Sequence, residues 1–248
     1  MPFLEYHGAS IYYEEFGEGP PLLVFAPGGL SSNIAIWRRP SAWFDPTTAL
    51  AGEFRVIGYD FRNAGQSRAP ILPSDGWQQH ADDQRALLDH LHVDRVELLG
   101  QCIGGPMCMG LIQADPARIA GAVLLQPSGR VGPIPAGAGY HSSFVQWQQL
   151  LGDRPDATPA VIDAVYRNMY TQDFVYTVSR EFMQACQTPL LVLAGNDEMH
   201  PFAVAEEVAR LAPNATFIPE WKDGVPKADA LRRITEFLRQ HAPQPAAR

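Results

Sequence analysis

Short apolar runs alternate with segments of helical period along this chain. Residues 22–26, 56–59, 96–99, 122–125, 190–194 and 215–218 are apolar runs without polar alternation. Such runs fit strands covered on both faces, as in a parallel sheet. Between them, Ala86, Leu87, Leu88 and Leu91 share one helix face; so do Val204, Val208 and Leu211, and again Leu231, Ile234, Phe237 and Leu238. Strands alternating with helices predict an α/β fold with a doubly wound, mostly parallel sheet. The start differs. Residues 11–15 followed by the turn-rich 17–21 predict an antiparallel edge hairpin leading into the sheet.

The rhythm breaks from 128 to 185. A Gly/Pro-rich stretch over 129–139 precedes helical patterns around 143–151, 158–170 and 174–185. The division expected is a core of 1–127 and 186–248, with 128–185 as a helical cap above the carboxyl edge of the sheet. Most of its aromatic residues (Tyr140, Phe144, Trp147, Tyr166, Tyr170, Phe174 and Tyr176) read as the cap's own small core. The tail over 243–248 is expected to fray.

Length, 248 residues, fits one large domain with a small insertion. Net charge is −8 and no basic run is present, which argues against nucleic acid and anionic membrane as partners. No apolar stretch reaches the roughly 18 residues of a membrane span, and the first residues lack the pattern of a secretory signal. The three cysteines, Cys102, Cys108 and Cys186, are odd in number and not spaced as metal ligands. They fit reduced thiols of a cytoplasmic protein. Cys108 and Cys186 read as core filling.

Cys102 is different because of its setting. It centres Gly100-Gln101-Cys102-Ile103-Gly104, after the apolar run at 96–99 and before a helical pattern at 104–114. A nucleophile between strand and helix needs a turn so tight that glycines flank it. Gly105 adds room for close packing of that helix. Three further motifs stand at strand ends: Ala26-Pro27-Gly28-Gly29-Leu30, the turn from Asp60 to Ser67, and Asn196-Asp197-Glu198-Met199-His200-Pro201. By itself the glycine pair is an ordinary tight turn, and Asp197 a helix-capping carboxylate.

Together these elements resemble the α/β-hydrolase fold family over nearly the whole chain. The resemblance implies that 26–30 is the oxyanion loop, with Pro27 where a histidine is usual. Its donors would be the N–H of Gly29 or Leu30 and that of Ile103, each worth on the order of 3 kcal/mol. The Asp60–Ser67 turn is similar to the family's Asp-x-Arg-Gly-x-Gly-x-Ser, with Asn63 replacing the first glycine, and Asp60 and Arg62 are expected to pair. Cys102 would hold the nucleophile position usually occupied by serine, and Asp197 the position of the acid.

One departure stands out. The family's histidine follows the last strand, yet residues 218–226 contain none. His200, three residues after Asp197, is the best candidate for a displaced base, in an Asp-x-x-His-Pro arrangement similar to that of elbow-cysteine members of the family. Lys222 and His80 are the alternatives. Sulfur fits this loss. A thiol has a reference pKa of ~8.5 and is lowered further at a helix start, so attack tolerates a weaker base than a serine requires. The expected function is a cofactor-free, metal-free hydrolase of ester, thioester or lactone type, with a Cys102 acyl-enzyme. Its substrate would be small, mostly apolar and acyl-bearing, with Trp37 and Trp43 beside the pocket; a homodimer is left open. The alternative is a ligand-binding protein on the same scaffold without catalysis. A lyase or oxygenase would be expected to need the missing loop histidine.

Overall fold

The computed structural model describes residues 2–134, 137–222 and 227–243. The tail expected to fray lies, from 244 onward, outside them, as do 223–226 of the loop after the last strand. The strands are β1 (Phe3–Tyr6), β2 (Ala9–Phe16), β3 (Pro21–Phe25), β4 (Arg55–Tyr59), β5 (Val96–Gln101), β6 (Ile119–Leu125), β7 (Leu190–Leu193) and β8 (Ala215–Ile218). They form one sheet in the order β1-β2-β4-β3-β5-β6-β7-β8. From β4 to β8 neighbouring strands run parallel, while β1 and β2 are antiparallel additions at one edge.

The helices are α1 (Pro46–Ala49), α2 (Trp77–His90), α3 (Gly104–Ala114), α4 (Ser142–Leu151), α5 (Pro159–Tyr170), α6 (Arg180–Ala185), α7 (Phe202–Leu211) and α8 (Lys227–His241). Each strand's odd and even residues face opposite ways. Leu23, Phe25, Leu98 and Leu124 join a core with residues of α2, α3 and α7. Leu22, Val24, Leu99 and Val123 join a second with Ile234, Phe237 and Leu238 of α8. Both faces are covered, which is why the central strands read as unbroken apolar runs. Full burial of each such side chain is worth about 1.5–3 kcal/mol.

Three expectations are corrected. First, the edge hairpin forms between β1 and β2, across His7 and Gly8 at φ 46° and 79°, and not across 17–20. A two-residue turn at positive φ matches the twist of paired strands, whereas 17–20 leads into β3, from which β4 separates β2. Second, Arg62 does not pair with Asp60. Its guanidinium meets Asp83 of α2 at 2.8 and 3.2 Å and Asp75 at 3.3 Å. Asp60 instead accepts the N–H groups of Ile34 and Gln66 at 2.8 and 2.7 Å. The arginine finds two carboxylates on its own side, and the aspartate is satisfied by backbone. Third, the last helix before β7 begins at Arg180, not near 174. Phe174 bridges to Arg130, and Phe174 and Tyr176 lie at φ 60° and 65°, which a helix cannot continue through.

Candidate active site

The chain passes from β3 to β4 on one side and then returns to β5 on the other. The carboxyl ends of β3 and β5 therefore open side by side at the point where strand order reverses, which is where a doubly wound sheet leaves a crevice. β3 delivers Gly28–Gly29 to this crevice and β5 delivers Cys102.

Cys102 sits at φ 60°, a left-handed conformation that side chains rarely adopt. Its N–H donates to Leu125 O at 3.0 Å, and its carbonyl accepts from Gly105 and Ser128, each at 3.0 Å. These bonds hold the strained turn against the end of β6. The flanking glycines are required by contact: a Cβ on Gly100 would lie 2.1 Å from Gly104 O, and one on Gly104 would lie 2.5 Å from Phe25 O. Ile103 follows as the N-cap of α3, so its N–H belongs to the unpaired donors of a helix start.

Asp197 and His200 occupy the loop after β7. His200 Nδ1–H donates to the Asp197 carboxylate at 2.8 and 2.9 Å, and the N–H groups of His200 and Met199 donate to Asp197 Oδ1 at 3.0 and 2.9 Å. A carboxylate on Nδ1 fixes the tautomer and leaves Nε2 as the basic atom. His200 Nε2 is buried and makes no hydrogen bond of ordinary geometry among the described residues. The group it influences is Cys102. Burial, the largest single influence, pushes the thiol up, but His200, the Ser128 hydroxyl and the Gly28 N–H together outweigh it, and the thiol ends below its ordinary value. Burial pulls the His200 imidazole down, while Cys102 and Asp197 pull it up, and it ends raised. Burial raises Asp197, but His200 and the two backbone donors leave it lowered. All three net shifts favour a thiolate facing an imidazolium that rests on a carboxylate.

Gly195 makes this loop possible. A Cβ there would lie 2.1 Å from His200 O and 2.4 Å from His200 Cβ. Gly195→Ala should cost about 1–3 kcal/mol as an overpacking change and turn His200 away from the thiol. The check is alkylation of Cys102 against pH, whose onset should move upward.

The alternatives to His200 are placed elsewhere. His80 is buried in α2 against Phe61, ring centroids 5.5 Å apart, and burial and the Arg62 charge push its pKa down to about 3. Lys222 donates to Gln126 Oε1. Trp37 and Trp43 belong to the core on the α8 side, where Trp43 packs on Trp221 at 4.7 Å; they do not stand beside Cys102. Trp221 donates to Ala194 O at 2.7 Å. The loop after β8 thus carries a buried indole where the resemblance led one to look for a histidine.

Other residues are brought here that the sequence did not single out. Ser128 Oγ is 3.2 Å from Cys102 Sγ. The order of predicted strands could have suggested it, since it lies just past β6, the neighbour of β5. His141 Nδ1 lies 2.7 Å from Ser143 Oγ, and its ring stacks on Tyr170 at 5.3 Å. No pattern in the chain marked these. The aromatics of the segment 128–185 do pack on one another: Phe144 contacts Tyr140, Trp147, Tyr166 and Tyr170.

The family profile described as alpha/beta hydrolase fold matches residues 21–167, more than half of the chain. The chain belongs to this family. Among curated relatives, the 2-hydroxymuconate semialdehyde hydrolase of Pseudomonas sp. (strain CF600) is 30% identical over 151 residues, 58% of this chain and 50% of that protein. Carboxylesterase YbfK of Bacillus subtilis (strain 168) is 21% identical over 216 residues, covering 78% of this chain and 70% of the relative. The chain spans about half the length of the first curated relatives it matches. The solved structure of Est816, described as an N-acyl homoserine lactone degrading enzyme, superposes with a TM-score of 0.68 at 27% identity, over 96% of this chain and 98% of that one.

Proposed function

We propose that this family member is a cofactor-free hydrolase of ester, thioester or lactone substrates, working through a Cys102 acyl-enzyme. The observation that carries the reading is the Asp197–His200 pair, whose remaining buried nitrogen is left for the Cys102 thiol. The Cys102 thiolate attacks the acyl carbon, forming a C–S bond while the carbonyl electron pair moves onto oxygen. That oxyanion is held by the Ile103 N–H and the Gly29 or Leu30 N–H. Collapse expels the leaving group, which takes the proton from the His200 imidazolium. His200 then removes a proton from water as it attacks the thioester, the acid is released, and the thiol returns. The helices over 128–185 would close the crevice from above. The activities of the relatives support acyl or related hydrolysis: a semialdehyde hydrolase, a carboxylesterase and a lactone-degrading enzyme.

The test is intact-mass measurement after brief mixing with an activated thioester. One acyl group should appear on the peptide containing Cys102 and vanish in Cys102→Ala. Acylation or iodoacetamide labelling of Cys102 no faster than at the buried Cys108 would instead support a binding protein with an inert pocket thiol.

A further inference from the structure

One hydroxyl of the segment over 128–185 stands over the Gly28–Gly29 loop without a hydrogen bond of ordinary geometry. Tyr170, at the end of α5, is 3% exposed, and its Oη makes no hydrogen bond of ordinary geometry among the described residues, although the Ser143 hydroxyl is close enough to influence it. Tyr176, packed on the same ring, is already engaged, donating to Gly129 O at 3.2 Å. Buried polar atoms are nearly always paired, so an orphan at a reactive group points to a ligand that completes it. Its surroundings say which part of a ligand. Gly29 leaves open the space where a side chain would begin. Ser143 Oγ lies 2.6 Å from that Cβ position and Tyr170 Oη 3.5 Å from it, so both close over the loop expected to hold the oxyanion. Ser143 is turned to His141 Nδ1 at 2.7 Å, and His141 stacks flat on the tyrosine ring with 10° between planes. The stack and the surrounding Phe144, Tyr166 and Tyr176 rings hold the phenol in one orientation.

The phenol stays protonated. Burial pushes it up; the Ser143 hydroxyl opposes this and the Cys102 charge reinforces it. His141 stays neutral beside it: burial and the His200 charge keep its pKa low, with Glu198 opposing. A fixed O–H beside a thiolate nucleophile can therefore donate to the substrate. The acceptor that every acyl substrate presents next to Sγ is its own carbonyl oxygen.

We infer that Tyr170 is a catalytic residue, its hydroxyl a third donor to the oxyanion formed when Cys102 attacks. This rests on the reading of Cys102 as nucleophile. The carbonyl electron pair moves onto oxygen as the C–S bond forms, and the Tyr170 proton is shared with that oxygen but not transferred.

Tyr170→Phe removes one oxygen and leaves the ring stack. Two reactions at the same sulfur separate its role from others. Acylation by an activated p-nitrophenyl ester builds an oxyanion; alkylation by iodoacetamide displaces iodide and builds none. In the variant the acylation rate should fall on the order of 10²-fold, the usual effect of losing one oxyanion donor. Iodoacetamide labelling of Cys102 should be unchanged, and the melting temperature should not fall, because the lost hydroxyl made no hydrogen bond of ordinary geometry. Unchanged acylation overturns the inference. A parallel loss of alkylation also overturns it, since Tyr170 would then act on the thiol. If the wild-type protein is neither acylated nor labelled faster than at Cys108, the nucleophile reading itself falls, and the donor role with it.

Discussion

Replacing His200 with alanine will lower turnover of an activated thioester on the order of 10³-fold, the scale of a lost general acid–base. Two steps depend on it: protonation of the leaving group and activation of water. The same variant should shift the pH at which Cys102 becomes reactive. In the intact site the thiol ionises below its ordinary value because His200, aided by Ser128 and Gly28, overcomes burial. Without the imidazole, burial regains influence and the thiol pKa moves up, so iodoacetamide labelling should begin at higher pH. Lys222→Met should leave both readouts unchanged, because that amine is engaged with Gln126. The same holds for a neutral replacement of His80, which is uncharged near pH 7 with its pKa at about 3. Turnover by His200→Ala at the wild-type rate would remove His200 from the mechanism.

Glu97→Gln should stabilise the protein strongly, and more so as pH rises. Glu97 lies within β5 at 0% exposure, and neither carboxylate oxygen has a hydrogen-bond partner among the described residues. Burial pushes its pKa up to about 8. The unfolded carboxyl titrates near its ordinary value of ~4.3. Between these values the folded state retains a proton that the unfolded state has lost, so stability falls across that window and the loss is complete above about pH 8. At about 1.4 kcal/mol per unit, the wild type is weakened by about 4 kcal/mol at pH 7. Glutamine does not ionise and escapes this. Thermal melts should show little difference near pH 4.5 and a gain of roughly 8–16 °C at pH 7, at 2–4 °C per kcal/mol for a chain of this size. A gain that does not change with pH would mean that Glu97 is already ionised in the fold.

Much of the scaffold was readable. The runs at 96–99 and 122–125 became β5 and β6, and the helix expected over 104–114 is α3. Burial on both faces leaves a local imprint, since every residue of β6 must be apolar or small. Errors occurred where partners were chosen between near equals. Arg62 could have met Asp60 by sequence distance alone, but α2 brought Asp83 to it. The hairpin was placed one turn late because a pattern of Gly and Pro marks a turn without naming the strands it joins.

The candidate site divides in the same way. The chain itself determined that Cys102 stands on a tight turn and that Asp197 and His200 lie three residues apart. Both follow from local steric rules and short spacing. It also determined that no histidine stands in 218–226, the stretch that follows β8. Only the tertiary structure decided that His200 turns toward the sulfur, that Lys222 and His80 do not, that Ser128 meets Cys102, and that Tyr170, with His141 stacked on it, stands over the Gly28–Gly29 loop. These arrangements join strand ends and helices far apart in sequence. Their geometry is set by sheet order and by packing across the crevice, which leave no periodic trace in any one segment.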